Sequence, residues 1–221
     1  MKKTLITIVL ILVVVEIGTV LFLSQANKEQ QYIPTNVEMV KYAEEKYPEL
    51  KNYWKYIPLS FHDGLKLVGV IQGNSDTNFR IVQSSSGEKE VSVIDGFRLM
   101  YKYPDTEHFA KMMVEKSKKE EYKNDKIKVI EELKFIAKGQ NVDQMNYNGY
   151  EYYFIGNDHL YDTPVGMAVI FFPENQIITT IYFLNQEPEN RKFQTIAEFI
   201  SLKDNFIKGV IDNATDLKVS P

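Results

Sequence analysis

The stretch Val165-Gly166-Met167-Ala168-Val169-Ile170-Phe171-Phe172-Pro173-Glu174-Asn175-Gln176-Ile177-Ile178-Thr179-Thr180-Ile181-Tyr182-Phe183-Leu184 decides how this chain is read. Two runs rich in aliphatic and aromatic residues flank a short segment of turn formers, which predicts an antiparallel pair of strands over 165–172 and 177–184. The runs are continuous rather than alternating, so one or both faces of the pair must be covered. The cover follows directly. Phe193, Ile196, Ala197, Ile200, Phe206, Ile207, Val210 and Ile211 recur at helical spacing. They predict a long amphipathic helix over about 189–208 or a little beyond, with Pro188 near its first turn and a bend where the stripe slips at Ser201.

Working upstream, Asn148-Gly149 is a strong two-residue hairpin signal joining strands over 143–147 and 150–155. Residues 126–137 alternate through Ile127, Val129, Leu133, Phe135 and Ala137, which reads as a further strand, with Gly139-Gln140-Asn141 as a turn. Asp105 or Thr106, after Pro104, is read as the cap of a helix with Phe109, Met112 and Met113 on its apolar face. Its later turns, 116–123, are nearly all charged and read as a solvated face. Period-two segments over 65–71, 79–82 and 91–103 predict strands. Ser84-Ser85-Ser86-Gly87 between two of them lacks the Gly-Lys-Ser/Thr ending of a phosphate loop and reads as a hairpin turn.

The amino-terminal part has a different character. Residues 4–23 are apolar but for Thr4, Thr7, Glu16 and Thr19, and as a helix they would reach roughly 30 Å, the thickness of a bilayer's hydrocarbon core. Lys2 and Lys3 precede them, so the positive-inside bias keeps the amino terminus in the cytoplasm and exports residues from about 27 onward. A retained anchor is the expectation; a cleaved leader ending at Ser24-Gln25-Ala26 is the alternative, favoured by the way Glu16 shortens the purest apolar run. Thr35-Asn36-Val37-Glu38 is a capping box opening a helix over about 36–47. Pro48 interrupts it, and Leu50, Tyr53, Trp54 and Ile57 continue at helical spacing, with Trp54 expected in the core.

The expected organisation is therefore a transmembrane signal-anchor over 1–26, a juxtamembrane helical segment over 27–60, an α+β domain over 61–213 and a tail over 214–221. The fold class is α+β: an N-terminal transmembrane helix, then an antiparallel sheet packed against helices as an α/β sandwich. The 221 residues carry a net charge of −4. Setting aside Lys2, Lys3 and Glu16 leaves 24 basic and 29 acidic side chains in the exported part. Such mild acidity argues against nucleic acid and against docking on anionic lipid. Cysteine is absent, which rules out disulfides and thiolate metal sites, so the exported domain must be held by its core alone. The Lys, Asn, Glu and Ile richness associates the chain with bacteria, where the sequon at Asn213-Ala214-Thr215 carries no glycan as a rule.

Over about 96–211 the chain gives a strand, a helix, several antiparallel strands and a long terminal helix. Gly96-Phe97 leading to Tyr103-Pro104, the Asn148-Gly149 turn, the 177–184 strand and the 193–211 helix together make this half of the chain resemble the PsbP-like α/β sandwich proteins. That resemblance rests on element order. It implies a non-enzymatic binding or accessory module on an exported face.

The residues that could carry chemistry are few. Asn157-Asp158-His159 with Asp162 is the sharpest constellation, since Asp158, His159 and Asp162 together could hold a divalent cation or act as an acid–base pair. The segment reads first as an exposed turn between strands, rich in turn formers, and the chemistry is the lesser reading. His62-Asp63-Gly64 reads as a turn entering the 65–71 strand, and His108 as a surface residue in the first turn of its helix. Tyr147, Tyr150, Tyr152, Tyr153 and Tyr161 cluster in sequence; alternation sends Tyr150 and Tyr152 to one face and Tyr153 to the other, which favours cross-strand packing over a stacking platform. No His-Glu-x-x-His, Gly-x-Ser-x-Gly or Gly-x-Gly-x-x-Gly occurs, and no catalytic residue, metal site or cofactor is expected. The chain reads as a membrane-anchored extracytoplasmic binding or accessory module of the bacterial cell envelope, with another envelope protein or a wall-associated ligand as partner. The rival reading is a membrane-tethered metal-dependent hydrolase using Asp158, His159 and Asp162.

Overall fold

The computed structural model describes residues 45, 48, 53–72, 79–104, 106, 108–156, 165–184 and 193–216. The stretch 4–23, the capping box at 35–38, Pro188 and the loop carrying Asp158, His159, Tyr161 and Asp162 lie outside the described residues. Among the described residues, no helix is long and apolar enough to cross a membrane.

The two apolar runs form β8 (Gly166–Phe172) and β9 (Ile177–Phe183), paired antiparallel from Gly166 opposite Phe183 to Phe172 opposite Ile177. Between them Pro173–Asn175 makes one turn of 3-10 helix, and Gln176 takes a left-handed conformation, φ 56°, to reverse the chain. Every residue of β8 is buried, because both faces of the sheet are covered. Around this pair the sheet grows to seven strands. β1 (Lys66–Gln72), β4 (Asp95–Lys102) and β5 (His108–Lys116) lie on the β9 side; β7 (Tyr150–Gly156) and β6 (Asp143–Tyr147) lie on the β8 side. The order is β1-β4-β5-β9-β8-β7-β6, antiparallel throughout. β6 and β7 meet at Asn148-Gly149, whose φ values of 47° and 82° are the positive pair that a type I′ turn requires.

A separate two-stranded ribbon, β2 (Phe79–Ser84) and β3 (Gly87–Ser92), is inserted between β1 and β4 and closes at Ser84–Gly87 as a hairpin. Among the described residues two long helices pack on the sheet: α1 (Tyr122–Ile136) and α2 (Ile196–Asp216). α2 covers one face of the sheet. The ribbon and α1 cover part of the other. The protein is thus an α+β fold in which an antiparallel sheet packs against helices.

Two sequence expectations are exchanged. Residues 108–116, read as a helix, form strand β5, and residues 126–137, read as a strand, lie almost wholly in α1. Both segments carry two overlapping apolar series. In the first, Ala110, Met112 and Val114 are buried at period two, while Met113, which completes the helical triad with Phe109 and Met112, lies half-buried on the opposite face. In the second, Asp125, Val129 and Leu133 are buried at four-residue spacing, leaving Ile127 and Phe135 exposed. The 91–103 segment is not one strand either. It breaks at Val93-Ile94, where the chain leaves the ribbon and joins the main sheet.

α2 begins at Ile196, later than the pattern of apolar residues predicts, and runs without interruption past Ser201 to Asp216. Its start is a capping box: Thr195 Oγ1 accepts from the Glu198 amide at 3.2 Å, and Glu198 Oε2 accepts from the Thr195 and Gln194 amides at 3.1 and 2.7 Å. Residues 213–216, read mostly as tail, are helical, with Ala214 buried. The Asn213 side chain donates to the Trp54 carbonyl at 2.9 Å. Tyr53, Tyr56 and Ile57 are buried in the same core as α2, so the globular body begins before residue 61. Trp54 packs partly buried against that core, as expected.

The core under α2 is aromatic and dry. Phe206 stacks on Phe61 at 4.8 Å between centroids and meets Tyr101 at 5.0 Å and Phe183 at 5.8 Å, both edge-on. Phe61 reaches this position only because α2 offers Gly209 beneath it. A β-carbon at 209 would stand 2.6 Å from Phe61 Cε1. Tyr150 and Tyr152 point into this core and Tyr153 into the other, as alternation predicts. The second core, under α1, is smaller: Val82 and Val91 of the ribbon, Val129 and Leu133 of α1, and Tyr153, Ile155, Met167, Val169, Phe171 and Ile178 of the sheet.

Candidate functional site

The segments that carry the residues with chemical potential attach at one end of the sheet. Lys66 pairs with Lys102, Lys102 with His108, Ala110 with Phe183, Phe183 with Gly166, and Gly166 with Gly156. This row crosses six strands, roughly 4.8 Å apart at each step. The turn at 61–64 enters β1 from this end, His108 opens β5 here, and segment 157–164 leaves from Gly156 and returns at Val165. All three histidines of the chain thus belong to segments that attach at one end.

The described residues at this end serve the fold. His62 is exposed, and Asp63 is fully engaged. Its Oδ2 accepts from the Tyr103 hydroxyl at 2.6 Å and its Oδ1 from the Leu65 amide at 3.2 Å, the local bond of an Asx turn. Burial, with the nearby Asp63 carboxylate, pushes the Tyr103 hydroxyl well above its ordinary range, so it stays a donor. His108 sits half-buried as the first residue of a strand, not in a helix. Among the described residues no group of three or more histidines and carboxylates could hold a metal ion.

The opposite end differs. β1 is an edge strand. Its first residues are capped from outside by 59–61, through a Ser60–Lys66 bridge and a Leu67 amide bonded to the Leu59 carbonyl at 3.0 Å. From Val68 onward its outer edge pairs with no strand among the described residues. Ile71 is 60 % exposed and Val68 42 %, and a bulge between Leu67 and Gly69 turns Val68 outward. Three further apolar side chains, Phe79, Ile81 and Ile94, are exposed nearby in the chain path. Phe79 pairs with Ser92, two residues before Ile94; Ile94 immediately precedes β4, whose Phe97 pairs with Gln72 at the end of β1. An open edge with exposed aliphatic side chains is suited to receiving another chain.

The ribbon that carries Phe79 and Ile81 is fixed by ions. Arg80 donates from Nε to Glu115 Oε2 of β5 at 3.0 Å and from Nη1 to Glu132 Oε2 of α1 at 2.9 Å. One guanidinium thus joins ribbon, sheet and helix. Burial raises the Glu115 carboxyl above its ordinary range, only partly offset by Arg80. At the base of the ribbon Asp125, the first-turn carboxylate of α1, is fully buried. Its Oδ2 accepts from the Ser92 hydroxyl, from the Ser117 hydroxyl at 2.6 Å and from the Ser92 amide at 3.2 Å, and its Oδ1 from Lys128 at 3.0 Å. Burial pushes this carboxyl upward, but the donors outweigh it and hold it below its usual range. Lys89 pairs with Glu131 across the same seam.

The sequence reading did not single out these exposed apolar positions. The composition of β1, Lys66-Leu67-Val68-Gly69-Val70-Ile71-Gln72, is that of a buried strand, and nothing within it marks an edge. The fold and this edge together define an α+β fold whose antiparallel sheet, among the described residues, ends on an open, apolar strand. No family model, no curated protein and no solved structure matches the chain.

Proposed function

We propose that this chain is a membrane-anchored extracytoplasmic binding or accessory module of the bacterial cell envelope, working without catalysis. The apolar stretch at 4–23, with Lys2 and Lys3 before it, supports the placement. The observation that carries the binding role is the open edge of β1 with Val68 and Ile71 exposed. The partner that fits is an extended segment of another envelope protein, adding its backbone to β1 and its apolar side chains to Val68 and Ile71. The likeness to PsbP-like proteins lends what support element order can carry; over 95–216 that order is two strands, helix, four strands, helix. The test is photo-crosslinking in intact cells from probes at Val68, Ile71 and, as a control, Lys111. A discrete adduct from the first two and none from the third is expected. Turnover of a substrate that disappears in His159→Ala would overturn the reading.

A second reading, a metal-dependent hydrolase using Asp158, His159 and Asp162, draws on the attachment at one end of the sheet of the segments that carry the three histidines. Titration calorimetry of the full chain with Zn²⁺, Mn²⁺ and Ca²⁺ tests it. Absence of heat for all three disposes of the metal site.

A further inference from the structure

The outward face of α1 is basic on a chain that is acidic overall. Lys123, Ile127, Lys134 and Lys138 follow one another at intervals of four, seven and four residues, which places them along one side of the helix and its exit turn. Phe135 lies beside this stripe, and Lys118 and Lys119 lie just before the helix. Ile127 is 51 % exposed and Phe135 48 %. The five lysines are all exposed. None of them has an ion-pair partner among the described residues.

The acidic residues of α1 are, by contrast, all consumed. Asp125 is bound by Lys128, Glu131 by Lys89 and Glu132 by Arg80. Lys126, on the flank, is paired with Glu151. Against the five free lysines stand Glu120 and Glu121 in the approach to the helix and Glu88 and Glu90 on the neighbouring ribbon. The positive surface is therefore a strip along α1 rather than a broad patch. Net charge averages this strip away, which is why the whole-chain balance of −4 points the other way. A cationic stripe carrying an aliphatic and an aromatic side chain is the pattern of a helix that lies on an anionic interface, lysines at the headgroups and apolar residues just below.

We infer that α1 is a docking face for the surface of an anionic phospholipid bilayer, held by Lys118, Lys119, Lys123, Lys134 and Lys138 and seated by Ile127 and Phe135. The inference rests on the envelope reading only for bringing a bilayer within reach. Its effect is to orient the domain, α1 toward the headgroups and the opposite, α2-covered face of the sheet away from them.

The absence of cysteine makes the test direct. Asn124→Cys on the outer side of α1 is labelled with an environment-sensitive dye in the full chain. The chain is mixed with vesicles of phosphatidylcholine alone or of phosphatidylcholine and phosphatidylglycerol in equal parts. A blue shift confined to the phosphatidylglycerol vesicles, reversed by high salt, is expected. It is expected to vanish when Lys118, Lys119, Lys123 and Lys134 are replaced by Glu or, more mildly, by Gln, and to survive Lys111→Glu. Equal emission on both vesicles, or a shift indifferent to salt, overturns the inference. So does the same shift on adding polyphosphate without vesicles, which would assign the strip to a soluble polyanion. Co-flotation with the phosphatidylcholine vesicles separately reports the 4–23 stretch. Flotation with a silent probe sinks the docking face and leaves the anchor, whereas a responding probe without flotation does the reverse.

Discussion

On the α2 side of the sheet Phe109, Phe183, Phe193, Phe199 and Phe206 pack ring against ring, with the Tyr101 hydroxyl bonded to the Pro58 carbonyl at 3.0 Å. On the α1 side, the seam between ribbon, sheet and helix is closed by Arg80, Glu115, Glu132 and Asp125. The same seven strands thus carry two kinds of cover. A core of rings is held by area removed from water and has no preferred partner beyond shape. A seam of ions is costly to bury and strongly directional. The difference assigns roles: the α2 side supplies the stability, and the α1 side sets where the ribbon, with its exposed Phe79 and Ile81, is held.

The largest effect is expected where the rings meet. Phe206 is buried and touches Phe61, Tyr101, Phe109 and Phe183. Phe206→Ala should cost about 3–5 kcal/mol of unfolding free energy by urea titration, the usual range for emptying a ring from a packed core. A loss below 1 kcal/mol, small on that scale, would mean the α2 side is not the dominant core. Next comes Arg80→Met, which strands Glu115 and Glu132 in the seam. It should cost about 3 kcal/mol, while Arg80→Met combined with Glu115→Leu and Glu132→Leu should recover most of that loss, because an apolar seam needs no ion pairing. If the triple variant is as unstable as the single one, the ions add more than orientation.

Acid and base slopes sharpen the contrast within the seam. Asp125 is held below its ordinary value, so its contribution is present above that value and lost as pH falls through the depressed one. Glu115 is raised by burial, so its contribution is present below its ordinary value and lost as pH rises through the elevated one. Two carboxyls tied to the same ribbon therefore tilt stability in opposite directions. In urea titrations between about pH 3 and pH 8, Asp125→Asn should flatten the acid limb and Glu115→Gln the neutral limb. Parallel curves for the two variants would contradict the assignment.

Where the sequence was legible, one local rule was enough. Asn148-Gly149 needs positive φ at both positions and has it, and the runs on either side of Pro173–Asn175 have no alternative to a buried pair. It misled where two periods coexist. Phe109, Met112 and Met113 make a helical triad, but Ala110, Met112 and Val114 fit the face that β4 and β9 leave open, and the sheet decides. In α1 the alternation through Ile127 and Phe135 masked the stripe through Val129 and Leu133, since Asp125, which completes that stripe, is not apolar. Its burial depends on Ser117, eight residues earlier, and on Ser92, 33 residues earlier across the ribbon. The edge status of β1 was hidden for the same reason: it follows from the pairing of β1 with β4 across the inserted ribbon, a fact about topology that no window of residues contains.

The smallest predicted effect separates the two helices at their first turns. α1 has no side-chain cap; its opening carboxylate, Asp125, is spent on Ser92 and Ser117. α2 opens with the reciprocal bonds of Thr195 and Glu198, which are exposed and local, and the Gln194 and Thr195 amides hold the Glu198 carboxyl below its usual range. Thr195→Ala should therefore cost about 1 kcal/mol and do so alone, without coupling to Arg80→Met in a double-mutant cycle. Asp125→Ala, although it too lies at a helix start, should couple to Arg80→Met by more than 0.5 kcal/mol, since both changes loosen the same ribbon. Measurable coupling for Thr195, or none for Asp125, would show that the boundary between the stabilising side and the positioning side runs elsewhere.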